Sequence, residues 1–212
     1  MASTPRIAAP GSTRPTAAGR ASPARSPETE EAILDAALAE LLAHGIRRTT
    51  ASDLARRAGV SRQTLYRYWP DAQAVFAALV TRELVRALPP RTPEPPSLDE
   101  LVALLVETAD RIRRMPLLGR LRDTDPELFG RYVFTRLGSS QRAIHADLAA
   151  RLARGQSQGF VRAGDPAQLA AMVLLVVQSA VQSGPLVAEW LPAESWTTEL
   201  RAALAGYLGG AS

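Results

Sequence analysis

Apolar residues recur along this chain at helical spacing from about residue 33 onward, and nowhere do they alternate for long enough to read as a β-strand. The first such stretch opens on Ser26 and Pro27, a capping residue followed by a proline at the first helical position, with Glu28, Glu30 and Glu31 in the first turn. Ile33, Leu34, Ala37, Leu38, Leu41 and Leu42 then keep one helical face until Gly45 ends it. Next comes TTASDLARRAGVSRQTLYRY, residues 49–68, with two short helical patterns either side of Ala58-Gly59-Val60-Ser61. Thr50-Ala51-Ser52-Asp53 has the form of a capping box, so a helix is expected to start there, with Leu54, Ala55 and Ala58 as its narrow apolar stripe. Gly59 stops that helix, because glycine alone takes the left-handed position after a helix without steric cost. Ser61 caps the second helix, on which Leu65 points inward. A tight turn between two short helices is the helix-turn-helix arrangement.

The pattern continues with a helix over residues 71–88, capped by Asp71, with Val75, Leu79 and Leu84 inward. The sequence PPRTPEPPS follows; five prolines in residues 89–96 make an extended break, and the domain boundary is expected there. Beyond it Ser97 caps a helix running to Arg114, with Leu98, Leu101, Leu105, Ala109 and Ile112 on one face. A short helix over 117–122, a longer one over 126–158 that Gly138 can interrupt, one over 165–184 and a last over 194–208 complete the reading. The fold class is therefore all-α. A helix-turn-helix head with a linking fourth helix occupies 27–88, a proline-rich linker 89–96, and a helical domain 97–212.

On the second helix of the pair Arg62, Gln63, Thr64, Tyr66 and Arg67 are left for the outer faces. Arginine pairs with guanine, glutamine with adenine, and a threonine methyl packs on a thymine methyl, so this surface has the chemistry and width to read a DNA major groove. The segments ILDAALAELLAHG, TTASDLARRAGVS and TLYRYW together resemble the DNA-binding domain of TetR-family transcriptional regulators, over about residues 30–80. The resemblance implies double-stranded operator DNA as the partner, with Thr50 on a phosphate and Arg62, Gln63 and Thr64 reading base edges. It further implies Tyr66 and Tyr68 as backbone-contacting aromatics, Arg67 as a further phosphate or base contact, and Trp69 in the place of a core phenylalanine. In one respect the chain departs from the family. Ala72 stands where a lysine usually grips a phosphate at the start of the fourth helix, which removes roughly 0.9 from the salt slope for each phosphate left ungripped; Arg47, Arg48 or the arginine tail are the residues that could replace it.

The same resemblance implies a homodimer and a small-molecule effector, hence a ligand-responsive repressor. Residues 165–184, DPAQLAAMVLLVVQSAVQSG, are apolar nearly all round and must be covered on more than one side. With 194–208 they are expected to pair with their copies in a second subunit. Two half-sites then receive two reading helices about 34–36 Å apart, or a multiple of that. Met115, Phe129, Tyr132, Phe134, Met172 and Trp190 are the bulky residues offered for an effector pocket, with Gln178, Arg113 or Arg136 as polar contacts. Nothing in them identifies the ligand.

Composition narrows the alternatives. All 25 basic residues are arginine, and Arg6, Arg14, Arg20 and Arg25 fall in the first 27 residues, which hold no acid; the net charge of +4 is carried there. That segment has almost no large apolar residue, so residues 1–26 are expected to be disordered, their arginines free for added phosphate contacts. With no cysteine, disulfides and thiolate chemistry are excluded, and His44 and His145 form no metal-spaced cluster, so no cofactor is expected. The longest run of large apolar residues, 172–177, ends at Gln178, and the N-terminus lacks a secretory apolar core; a cytoplasmic protein away from membranes is expected. The alternative is an enzyme or small-molecule-binding protein whose helix pair is incidental. No Ser/His/Asp set or glycine-rich phosphate loop supports it, although Asp123, Asp125, Glu127 and His145 lie near one another in sequence.

Overall fold

The computed structural model describes residues 26–89, 93–125, 127 and 139–209. All regular structure among them is helical: α1 Pro27–His44, α2 Ala51–Arg57, α3 Arg62–Tyr68, α4 Ala72–Ala87, α5 Leu98–Arg113, α6 Pro116–Thr124, α7 Ser139–Ser157, α8 Pro166–Ser183 and α9 Ala193–Gly209. Short 3-10 turns at Ile46–Arg48 and Gly184–Val187 were not foreshadowed by periodicity. The expected starts are made by the expected atoms. The side chains of Ser26, Thr50, Ser61, Asp71, Ser97 and Asp165 each accept a hydrogen bond from a backbone N–H in the first turn they precede.

Two cores form. The first gathers Ile33, Leu34, Ala37 and Leu41 of α1, Leu54 of α2, Leu65 and Tyr68 of α3, and Val75, Phe76 and Leu79 of α4. The second gathers Leu101, Val102 and Val106 of α5, Leu148 and Leu152 of α7, Leu169 and Val173 of α8, and Trp196, Leu200, Leu204 and Leu208 of α9. The proline-rich segment separates these cores along the chain but does not end the first one in space. Leu117 and Leu121 of α6, both buried, pack into the head.

A polar joint accompanies that packing. Asp125, just after α6, is 1% exposed. Its carboxylate accepts from the Ile46 N–H at 3.2 Å, from Arg47 Nε at 2.8 Å and from the Thr124 hydroxyl at 3.1 Å. A buried carboxylate with three donors is satisfied, whereas removing it would strand the Ile46 N–H. Elsewhere Arg57 of α2 donates to the buried Glu40 of α1 at 2.7 Å, and Arg82 of α4 reaches Glu31 and Asp35 of α1. Glu94 in the linker accepts from Arg154 at 2.7 Å and Arg151 at 3.3 Å, fixing the chain to α7 before α5 begins.

Because α6 completes the head's core, Leu117→Ala is expected to destabilise the protein by about 2–5 kcal/mol. Amide hydrogen exchange should accelerate at Ala37 and Leu41 on α1, not only within α6. Unchanged exchange in α1 would mean that α6 merely rests against the head.

Candidate nucleic-acid interface

The reading surface is built from the turn upward. Val60 donates its N–H to the Ala55 carbonyl at 3.0 Å and Gly59 to that of Arg56 at 3.2 Å, closing the end of α2. Gly59 sits at φ 68° with open space where a Cβ would project, so its requirement is conformational rather than steric crowding. Leu54 and Leu65, each fully buried, belong to one core beneath this turn, which holds α3 against α2.

The capping box at the start of α2 is complete. The Thr50 hydroxyl accepts from the Asp53 N–H at 3.3 Å and donates to the Asp53 carboxylate at 2.7 Å, which also accepts from the Thr50 N–H at 3.1 Å. Hydrogen bonds from the Thr50 hydroxyl first and its amide second hold the Asp53 carboxyl below its ordinary value. Arg56 donates to the same carboxylate at 2.9 Å.

On α3, Arg62 and Gln63 are exposed, and so is Tyr66. The Arg62 guanidinium stands 5.9 Å from the centre of the Tyr66 ring and donates to its hydroxyl at 3.4 Å, one turn along. Thr64 is half-buried, and its hydroxyl lies 2.9 Å from that of Ser61, within the cap. Arg67 is half-buried, 5.6 Å from the Tyr68 ring. The structure thus brings Arg62, Gln63 and Tyr66 together on one outer surface, with Thr64 and Arg67 at its edges.

Tyr68 lies elsewhere. It is 7% exposed, part of the head's core, and its phenol is spent on Ser26: the hydroxyl accepts the Ser26 N–H at 2.7 Å and donates to the Ser26 carbonyl at 3.2 Å. Burial pushes its pKa up, but the bonds from Ser26, Thr29 and Arg67 outweigh that and leave it below the ordinary tyrosine value. The i, i+3 spacing puts Tyr68 on the same helix face as Leu65, but its bond to Ser26 joins residues 42 apart and has no local signal. The pairing of Arg47 with Asp125, 78 residues apart, is equally non-local, and it engages the Arg47 that was offered as a replacement phosphate contact.

Of the residues offered for an effector pocket, only some lie among the described residues. Phe129, Tyr132, Phe134 and Arg136 lie outside them. Met115 and Gln178 are half-buried, Arg113 is bound to Asp110 at 2.6 Å and stacked 4.7 Å from the Trp196 ring centre, and Met172 and Trp190 are exposed. The acids and histidine of the catalytic alternative are dispersed on structural tasks. Asp125 and Glu127 both meet Arg47, and a ring nitrogen of His145 contacts the Ala167 carbonyl at 2.8 Å.

The head matches the model of bacterial regulatory proteins of the tetR family over residues 33–79. An uncharacterized HTH-type transcriptional regulator of Mycobacterium tuberculosis is 40% identical over 181 residues, covering 85% of this chain and 95% of that protein. Among solved structures, Salmonella enterica GusR superposes with a TM-score of 0.58 at 24% identity, over 87% of this chain and 98% of that one. The regulator FadR from Bacillus subtilis, in complex with stearoyl-CoA, superposes with a TM-score of 0.59 at 17% identity, over 84% and 98% of the two chains. Both show the fold.

With open space around its missing Cβ, Gly59→Ala isolates the backbone cost of φ 68°. Loss of about 1–2 kcal/mol in urea unfolding is expected, with operator affinity falling as α3 loses its angle. An unaltered midpoint would show that the turn tolerates a side chain. Because Asp53 is held below its ordinary value, the capping box contributes above Asp53's unfolded pKa and is lost as pH falls through its lowered folded value. Asp53→Asn should therefore remove part of the acid dependence of unfolding.

Proposed function

Because the chain belongs to the tetR family of bacterial regulatory proteins, a DNA-binding transcriptional regulator, we propose that it acts as a homodimeric repressor whose α3 helices read a palindromic operator in the major groove. The observation that carries this reading is the division of α3. Leu65 and Tyr68 are buried in the head, while Arg62, Gln63 and Tyr66 face outward on the opposite side. Arg62 and Gln63, in the first turn, are placed as base readers, since a recognition helix contacts base edges with its N-terminal residues. Thr64 serves them from the edge of the cap. Thr50, at an exposed helix start, and Arg67 are assigned to phosphates. Tyr66 is assigned to the sugar–phosphate backbone.

The dimer reading rests on apolar surface that a single chain leaves uncovered. Met172 and Leu175 of α8, one turn apart, are 44% and 62% exposed; Leu186 and Trp190 just beyond are 81% and 79% exposed. Exposed Ala202, Ala203 and Gly206 give α9 a face that another helix can approach closely. By length and composition Pro166–Val187 is also apolar enough to cross a membrane, contrary to the expectation from its longest run of large apolar residues. Its packing on α5, α7 and α9 and its polar Gln168, Gln178 and Gln182 favour a subunit interface instead. A cytoplasmic setting, where operator DNA is, follows from this function.

The effector reading places an unidentified small molecule in the α5–α9 domain, supported by the stearoyl-CoA held by the FadR structure. Release from the operator then requires that the ligand prefer a geometry in which the two heads do not match their half-sites. Two elements connect the domains to carry that change: α4, and α6 with its Asp125 joint.

Arg62→Ala is expected to cost about 1–3 kcal/mol of operator affinity and to relax preference at one base pair in each half-site. Undiminished selectivity across a set of single-base operator variants would remove Arg62 from the reading surface. Leu175→Glu should yield a monomer in sedimentation and abolish binding to the full palindrome; a dimer that still binds would move the interface elsewhere.

A further inference from the structure

Tyr68 ends the reading helix, yet its phenol turns inward and ties α3 to the start of α1. The hydroxyl accepts the Ser26 N–H at 2.7 Å and donates to the Ser26 carbonyl at 3.2 Å. Ser26 is in turn built into α1: its own hydroxyl accepts from the Thr29 N–H at 3.4 Å, and its carbonyl from the Glu30 N–H at 3.1 Å. Two more side chains, Thr29 and Arg67, converge on the same phenol oxygen. Successive residues of a helix do not face each other, so Arg67 reaches Tyr68 only by folding back along it. Its guanidinium carbon lies 5.6 Å from the ring centre. Filling the head's core requires none of this. A phenylalanine ring would occupy the same buried space, and the hydroxyl adds only its polar partners.

We propose that Tyr68 is a positioning residue of the DNA interface: its hydroxyl, anchored on the Ser26 backbone, holds the Arg67 guanidinium in the orientation that meets a backbone phosphate, while the phenol itself does not touch DNA. This rests on the operator-binding reading given above, in which Arg67 is assigned to a phosphate. A guanidinium carries several N–H donors in a planar fork, so one phenol oxygen leaves others for the phosphate. An arginine already held in its bound orientation gives up less side-chain freedom on binding than one that the phosphate must order. The outer face of α3 uses the same device, since Arg62 is braced on the Tyr66 hydroxyl at 3.4 Å. Arg67, half-buried at the edge of that face, is braced from the other side. The contacts run from the cap of α1 through the phenol to Arg67.

The test uses the full-length protein and an operator fragment that it selects from genomic DNA. Tyr68→Phe keeps the ring and removes only the oxygen. Helical content should be unchanged, while operator affinity falls about tenfold, the measure of one hydrogen bond to a charged group. Arg67→Gln should flatten the salt slope by about 0.9 for each phosphate no longer contacted, and Tyr68→Phe should move the slope toward that value. In the Arg67→Gln background, Tyr68→Phe should change affinity by less than about twofold and leave the slope alone, because the two residues act as one unit. Base preference should be the same in all three variants. A role confined to stability would lower the urea midpoint in both backgrounds and leave the salt slope of folded Tyr68→Phe at the wild-type value, which would overturn the proposal. Equal losses of affinity from Tyr68→Phe with and without Arg67 would also overturn it, as would a wild-type slope in Arg67→Gln. If Tyr68→Phe does not fold, Thr29→Val takes its place, since it strips one partner from the same oxygen. A flattened slope that Arg67→Gln makes insensitive to Thr29→Val supports the proposal, and a wild-type slope overturns it. A wild-type protein with no sequence-selective DNA binding at all would instead overturn the regulator reading, and this role with it.

Discussion

The geometry of this molecule's reading surface depends on one backbone turn. Gly59 at φ 68° lets the chain turn within the four residues between α2 and α3, and Leu54 and Leu65 are buried in the core beneath that turn. Neither part suffices alone. Helices of seven residues are too short to persist by propensity, so the caps at Thr50 and Ser61 and the shared core hold them. What remains outside is a set of side chains, Arg62, Gln63 and Tyr66, carried on a helix whose placement the turn and the core fix.

Around that head the chain is organised as two cores joined at two places. Helix α4 belongs to the head by Val75, Phe76 and Leu79, and leads into the proline-rich segment. Helix α6 returns across the boundary, placing Leu117 and Leu121 in the head and the Asp125 carboxylate on the turn between α1 and α2. The two cores are therefore linked both through the chain and through packing against the head. Among the described residues the most exposed large apolar side chains are Leu175, Leu186 and Trp190, with Leu42 and Val85 also exposed on α1 and α4.

What was legible in the sequence was mostly what is local. Caps, breakers and 3.6-residue spacing located the ends of α1, α2, α3, α5 and α8 to within a residue or two, because the atoms that end a helix lie within four residues of it. Pairings between distant residues were not legible: Tyr68 with Ser26, Arg47 with Asp125, and Leu117 with the head's core each join residues that no spacing rule relates. Exposure was the other blind spot. A run such as residues 172–177 announces that it must be covered, but not whether its own chain or a second copy does so. Met172 and Trp190 look like pocket residues by bulk alone, and they lie on the uncovered side. Phe129, Tyr132 and Phe134, offered for the same pocket, fall outside the described residues.

All of this turns on the exposed face of α3 reading a specific DNA sequence in two copies. The decisive measurement is selection of genomic fragments by the purified full-length protein, followed by affinity determination on the recovered fragments at several salt concentrations. Enrichment of one short palindrome is expected, its half-site centres about one helical turn apart or a multiple of it, bound by two chains, with affinity falling steeply as salt rises. No enriched sequence, with only weak binding that disappears at physiological salt, would contradict it.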